Sequence, residues 1–444
     1  MRGALFSLLV LMLVASPAAA QDTARMEAIV RTDADRGEFM GAVLVARDGV
    51  ILFDRGYGSA NLEWKTANDG DTKFRLGSLT KQFTAVSVLL LVERGKLSLD
   101  APIKTWLPDA PAAWDKVTIR HLLSHTAGVP SLTAFPDYEQ LKTLPTTLEA
   151  VVARFRDKPL EFEPGAKWSY SNSGYILLTA IIEKASGQRY ADFLADNIFK
   201  PLGMADSGYD SHAAIIAHRA SGYSAGANGM VNADYIEMAI PQGAGGLYST
   251  THDLLRWQAG LYGGRLLKPA SLAALTTPVM NNYAFGIGVT RDASGTLYAH
   301  GGGIEGFNTW LGYDPERHIT VVVLANLSGR APNRLGASLM TLARGGTVTL
   351  AAERVEVALP PEALAAYAGT YDVSPEFSFV VRVEGGRLIV QATGQGPLLL
   401  HAEKPDHFFL KEVDAQLVFR RDASGAIDAV TLFQNGRQTL AKRR

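Results

Sequence analysis

The alternation of apolar and polar positions changes character along the 444-residue chain, and the changes predict its architecture. Near the start, the apolar runs Ala42 to Ala46 and Val50 to Phe53 are joined by Asp48-Gly49, a pair suited to the tight turn of a β-hairpin. From Leu79 to Glu93 apolar residues dominate at helical spacing and Gly95 follows as a stop, which predicts a buried helix. The stretch from about Ala101 to Ile240 is mixed in period, with helical runs such as Tyr175 to Ala185, ended by Gly187, between Pro and Gly turns; it reads as mainly helical. From Tyr283 to Leu324 short apolar runs return, and Ile319 to Leu324, rich in β-branched residues, is the clearest strand. Strands therefore bracket helices. That order predicts an α+β domain: one antiparallel sheet built from both ends of the domain, flanked by helices, with a mainly helical insertion and a cleft where the two meet.

After Gly345-Gly346 and Pro360-Pro361 the pattern shortens to strands punctuated by Gly385-Gly386, Asp422 to Gly425 and Asn435-Gly436. A boundary is expected near residue 350, leaving residues 21–349 as the larger domain and 350–444 as a small all-β sheet or barrel. Residues 1–20 read as a removable export signal: Arg2, the apolar run Leu5 to Val14, then Pro17 and Ala18-Ala19-Ala20 before Gln21. The run is shorter than the roughly 20 apolar residues of a spanning helix, so an exported chain, periplasmic or extracellular, with no membrane span after signal removal is expected.

Composition narrows the partners. Lys and Arg total 43 against 44 Asp and Glu, a net charge of -1, which provides no field to hold a nucleic acid. With no Cys, disulfides, thiol nucleophiles and thiolate metal sites are excluded. No oligomeric state is read from the sequence.

The candidate chemistry lies in three places. Ser78-Leu79-Thr80-Lys81 puts a hydroxyl and an amine one helical turn apart. A serine needs a base to take its proton, and a lysine desolvated in a cleft can serve; the plain alternative is an N-cap serine followed by a surface lysine. Tyr170-Ser171-Asn172 follows Pro164-Gly165 and precedes the helix at Tyr175. Its phenol can pass a proton where nearby cations depress its pKa, and the Asn172 amide can hold a substrate carbonyl; alternatively Tyr170 packs in the core and Asn172 caps the helix. His300-Gly301-Gly302-Gly303 lies between the strand-like runs Thr296 to Ala299 and Asn308 to Tyr313. There a substrate backbone could lie against side-chain-free positions, and the Gly303 N–H could stabilise an oxyanion; the alternative is a glycine-rich bend with an exposed histidine.

The order S-x-x-K, Y-x-N, H-G-G resembles the serine β-lactamase and penicillin-binding protein superfamily, in its class C-like branch. Thr118-Ile119-Arg120-His121-Leu122-Leu123-Ser124-His125-Thr126-Ala127-Gly128 and Gly245-Gly246-Leu247-Tyr248-Ser249-Thr250 are also similar to family phrases, and the resemblance spans roughly residues 35 to 345. It implies a β-lactamase/DD-peptidase-like fold and a small-molecule or peptide substrate. It further implies Ser78 as acylated nucleophile, Lys81 and Tyr170 as acid-base pair, and Asn172, His300, Gly302 and Gly303 as substrate-binding residues, with the Ser78 and Gly303 N–H groups on the oxyanion. Neither cofactor nor metal is implied. Where many relatives carry K-T-G, this chain has His300-Gly301-Gly302, and a mostly neutral histidine gives weaker or pH-dependent recognition of a substrate carboxylate. The expected activity is an esterase, D-alanyl-D-alanine carboxypeptidase, D-aminopeptidase-like or β-lactamase-like hydrolase; a non-hydrolytic penicillin or peptidoglycan binder is the alternative. Two other motifs lack context: Gly222-Tyr223-Ser224-Ala225-Gly226 matches a nucleophile elbow without the strand and helix it needs, and His121 and His125 have zinc spacing without the glutamate of H-E-x-x-H.

Overall fold

A computed structural model describes residues 17–350, 353–411, 415–434 and 437–444. Residues 1–16, which carry most of the expected export signal, lie outside the described residues. The hairpin is β1 (Gly41–Arg47) and β2 (Val50–Tyr57), and its turn residues Asp48 and Gly49 take φ of 52° and 76°, the left-handed pair that the sequence suggested. Four strands from the far end of the domain join them: β3 (Gly288–Asp292), β4 (Gly295–Ile304), β5 (Phe307–Asp314) and β6 (Ile319–Ala325). The sheet order is β3-β4-β5-β6-β1-β2, with antiparallel neighbours and Gly41 opposite Ala325 where the two chain segments meet.

Both faces of the sheet are covered, which explains why β1 and β6 read as continuous apolar runs rather than alternating ones. Val43, Val45, Val321 and Val323 pack with Met26 and Val30 of α1 (Pro17–Asp35) and with Leu335 and Leu339 of a C-terminal helix, Ala331–Ala343. Ala42, Leu44, Val322 and Leu324 face the other way, into the larger core that holds α2 (Thr80–Glu93) and α3 (Asn172–Ser186). The first turn of α3 differs from expectation: the helix starts at Asn172 rather than Tyr175, because the Ser171 hydroxyl accepts the Gly174 N–H and caps it. Gly187 ends it at φ 74°. The insertion is helical only to about Leu202. From Gly208 to Asn232 it forms short strands, among them the hairpin Tyr223–Gly226 with Gly229–Asn232, which absorbs the would-be nucleophile elbow; Ser224 there bonds the Ser328 hydroxyl at 3.1 Å.

Beyond residue 353 eight strands, from Gly369–Ser374 to Arg437–Arg443, close into a barrel through the pairing of Tyr371 with Arg443. Tyr367, Tyr371, Phe379, Phe408 and Phe419 pack in its interior. Closure leaves no open sheet edge among the described strands of this small domain. Glu353, at its approach, pairs with Arg25 of α1, and the same guanidinium reaches the Val348 carbonyl.

Candidate active site

The nucleophile candidate stands on a short 3₁₀ turn, Gly77–Leu79, that leads directly into α2. Buried Leu76 and Leu79 anchor the turn, the Leu76 N–H donates to the Leu247 carbonyl at 2.8 Å, and the Leu76 carbonyl accepts from Thr309 Oγ1 at 2.8 Å. Opposite lies β4. Its partner β3 stops at the Gly288–Ala299 pair, so the segment from His300 to Ile304 has β5 on one side and the Ser78 turn near the other. The glycines are therefore part of a regular strand, not a bend. A Cβ on Gly302 would stand 2.0 Å from the Leu76 carbonyl oxygen, and one on Gly77 (φ 53°) would stand 2.7 Å from the Gly303 nitrogen. Bare backbone at Gly302 admits the Ser78 segment rather than a substrate.

Lys81, on the first turn of α2, is fully buried. Its Nζ lies 3.1 Å from Ser78 Oγ and donates to Asn172 Oδ1 and to the Ala244 carbonyl, both at 2.8 Å. All three partners are uncharged, and burial holds the amine well below the ordinary lysine range. The rings of Tyr170 and Tyr175 lie 4.8 and 5.4 Å from Nζ. Tyr170 is the third member. Burial pushes its phenol up, and hydrogen bonding with the Ser78 hydroxyl works against this without cancelling it. The cations that sequence reasoning required to depress the phenol do not do so: Tyr170 keeps its proton at neutral pH.

His300 is engaged elsewhere. Its Nδ1 donates to the Gly301 carbonyl at 2.5 Å and its Nε2 accepts from the Tyr283 hydroxyl at 2.9 Å, a set that fits the neutral ring. Burial, then the nearby Lys81, bring its pKa down to about 4. A box of Trp168, Tyr170, Tyr175 and Tyr283 surrounds His125, whose Nδ1 accepts the Ser171 N–H at 3.1 Å. His125 and Tyr170 lie with ring centroids 4.2 Å apart and planes tilted by 39°, so this histidine braces the Tyr170 loop. His121 uses its Nδ1 to accept the Thr118 N–H in a capping box, which leaves neither histidine set out as a zinc ligand. Ser131 and Thr133 were not singled out in the sequence: Ser131 Oγ accepts the Asn172 N–H and Thr133 Oγ1 accepts from Asn172 Nδ2, both at 3.1 Å. No local pattern marks them, since their role follows from a loop meeting a helix some 40 positions away in the chain.

Ser78, Asn172 and Gly303 line a cleft of about 330 Å³ whose remaining walls are mostly apolar, with Leu132, Ile176, Ile240 and Ile304 among them. Lys81 and Tyr170 adjoin Ser78, while His300 and Gly302 are not among the residues that line the cleft. A serine hydroxyl against a desolvated amine in an apolar cleft is the apparatus of a serine hydrolase. The chain belongs to the β-lactamase family, whose model matches residues 26–344; residues 353–442 match a family described as a domain of unknown function (DUF3471). It is similar to penicillin-binding protein 4* of Bacillus subtilis (strain 168), 29% identical over 446 residues that cover 94% of this chain and 98% of that protein. Esterase EstB of Burkholderia gladioli is 32% identical over 57% of this chain and 74% of its own. Among solved structures, an octameric penicillin-binding protein homologue from Pyrococcus abyssi superposes with a TM-score of 0.68 at 26% identity, covering 95% of this chain and 100% of that one. D-amino acid amidase from Ochrobactrum anthropi SV3 superposes at 0.65 with 25% identity, covering 73% and 99%.

Proposed function

We propose that this protein is an exported serine hydrolase that cleaves ester or amide bonds, those of D-amino-acid peptides included, through an acyl-enzyme on Ser78. One observation carries the reading: the Lys81 nitrogen has two acceptors and one hydroxyl around it and no carboxylate among its hydrogen-bond partners. A neutral amine has two N–H bonds and one lone pair. The two N–H groups go to Asn172 Oδ1 and the Ala244 carbonyl, and the lone pair faces the Ser78 hydroxyl. In the first step the Ser78 proton passes to Lys81 as Oγ bonds to the substrate carbonyl carbon, and the ammonium then donates to all three neighbours. The backbone N–H groups of Ser78 and Gly303 are assigned to the developing oxyanion. The protonated Tyr170 phenol gives its proton to the leaving alcohol or amine and is restored from Lys81. Water then attacks the acyl-enzyme, returning a proton by the reverse route and freeing Ser78.

The names of the relatives, an esterase and a D-amino acid amidase among them, support acyl transfer from both ester and amide donors. The test is a screen of wild type and Ser78→Ala against p-nitrophenyl esters, D-alanyl peptides and nitrocefin, with a fluorophosphonate label on Ser78. Ester hydrolysis is expected first; equal turnover by the alanine variant overturns the mechanism, and a label that is never released favours a binder over a hydrolase. Export is supported by the charged, apolar and small-residue order of residues 1–20. It is tested by N-terminal sequencing of the protein outside the cytoplasm, where a start near Gln21 is expected and an intact Met1 inside the cell overturns it.

A further inference from the structure

Among the described residues that line the Ser78 cleft, the single charged side chain is Glu305. It sits on the turn between β4 and β5, two residues beyond Gly303, with only 16% of its side chain exposed. Lys142 Nζ lies 3.0 Å from Glu305 Oε1 and 2.5 Å from Glu139 Oε2, so one ammonium is shared by two carboxylates and the cluster carries a net -1. The guanidiniums Arg75 and Arg219 line a neighbouring depression that Glu305 also borders; they share the buried carboxylate of Asp210, at 2.5 and 2.6 Å, and Asp234 lines the same depression, so those two cations are matched by two carboxylates. His300, at the position where a cation would greet a substrate carboxylate, has both ring nitrogens engaged and is neutral. The cleft thus offers mostly apolar walls, the Ser78 hydroxyl and one carboxylate, that of Glu305 with its negative cluster behind it.

We propose that Glu305 is a specificity-determining residue that receives an ammonium carried by the acyl part of the substrate. The inference rests on the reading of Ser78 as nucleophile with the scissile carbonyl held near Gly303. Gly303 and Glu305 are two positions apart in the chain and line the same cleft, so the ammonium within reach of Glu305 is one carried several methylenes from the scissile carbonyl. The favoured donors are aminoacyl chains or peptides ending in an amine at that reach, with apolar methylenes along Leu132, Ile176 and Ile304. A carboxylate at the same reach meets the net negative cluster and is rejected. This ordering runs opposite to that of a site built around a cation for a carboxylate-bearing donor.

The experiment compares methyl 6-aminohexanoate, methyl heptanoate and monomethyl adipate, which share length and leaving group and differ in terminal charge, by pH-stat with wild type and Glu305→Gln. Dividing each variant rate by the wild-type rate for the same ester cancels intrinsic reactivity, and the heptanoate ratio reports any general damage. Relative to heptanoate, kcat/KM for the aminohexanoate is expected to fall about tenfold in the variant and that for the adipate to rise. Added salt should shrink the wild-type preference. Equal ratios for all three esters overturn the inference while leaving the hydrolase reading intact. If wild type cleaves none of the three and a fluorophosphonate fails to label Ser78, the hydrolase reading falls and takes this inference with it.

Discussion

Two buried lysines in one domain are driven in opposite directions. Lys81 is 0% exposed and Lys142 6%, yet burial holds Lys81 well below the usual lysine range, while Lys142 is raised. Desolvation opposes the charge on both. What differs is the company: Lys81 meets a hydroxyl, an amide oxygen and a backbone carbonyl, whereas Lys142 meets the carboxylates of Glu139 and Glu305. Hydrogen bonds to neutral acceptors do not offset desolvation, and two carboxylates do. One lysine is thereby suited to take a proton and the other to hold its own.

The sharpest way to break this contrast is to give the Lys81 position a permanent charge. Lys81→Arg keeps a cation but removes the base, since a guanidinium does not deprotonate in this range. Together with Lys81→Met it is expected to lower kcat/KM on a neutral ester by about a thousandfold, the middle of the range that general base catalysis contributes. An arginine variant with near-wild-type turnover would show that charge, not basicity, is what the site needs. The same contrast predicts the pH profile. In the proposed mechanism the free amine is the working form, and since burial lowers its pKa, kcat/KM should rise with pH and level off below the ordinary lysine value of about 10.4. A rise that continues through that value would mean the amine is not desolvated in solution. The profile is measured on an uncharged ester, so that substrate ionisation does not enter.

The next effect is steric. Gly302→Ala places a methyl group 2.0 Å from the Leu76 carbonyl oxygen, a backbone atom that cannot swing aside. The Ser78 turn must shift away from β4, which should cost about 2–3 kcal/mol in denaturant unfolding and most of the activity. Lys142 lies outside this contact, so the variant separates the two lysines. Lys142→Met is expected to cost less, about 1–2 kcal/mol: it leaves the half-buried Glu305 unpaired, although Glu139 is 72% exposed and gains little from the pair. Chemical denaturation of both variants gives the order, and a larger loss for Lys142→Met would reverse the comparison.

How much of this could be read from residues alone follows from the range of the forces. The β1–β2 hairpin and the end of α3 at Gly187 were legible because turn and stop are written in adjacent residues: Asp48-Gly49 and Gly187 take the backbone angles their side chains allow. Ser78 and Lys81 were legible for the same reason, being three positions apart. Tyr170 and Asn172 came from a motif, and their convergence on Lys81 depends on packing across 91 positions. The sign of the Tyr170 shift was missed because burial among His125, Trp168 and Tyr283 is a tertiary property. The role of Gly302 was also hidden: glycine signals close approach, but not whether the visitor is a substrate or the chain's own Leu76. Glu305 and Lys142 carry no signal, for a lone Glu and a lone Lys become a cluster only when β4 meets the helical insertion.

A third basic residue tests the rule at lower stakes. His252, at the start of the helix Thr251–Tyr262, lies with Nε2 2.7 Å from Asp54 Oδ2 and Nδ1 2.8 Å from Asp71 Oδ1. Burial disfavours its charge, but the hydrogen bonds to the two carboxylates outweigh that and its pKa is raised above the ordinary 6.5. Like Lys142, it is a cation kept by carboxylates. A raised folded pKa means that the folded protein binds the proton more tightly than the unfolded chain, so the contribution to stability is complete below the unfolded value. It fades as pH rises through the folded value. With about a quarter of the ring exposed and Asp71 mostly in solvent, the contribution is discounted to about 1 kcal/mol. Unfolding of wild type and His252→Gln should therefore differ by that amount near pH 5.5, about one unit below the free histidine value, and converge in mildly alkaline buffer. A gap that widens with pH would mean that the ring is held neutral, and that carboxylate company does not decide the charge of a partly buried base in this fold.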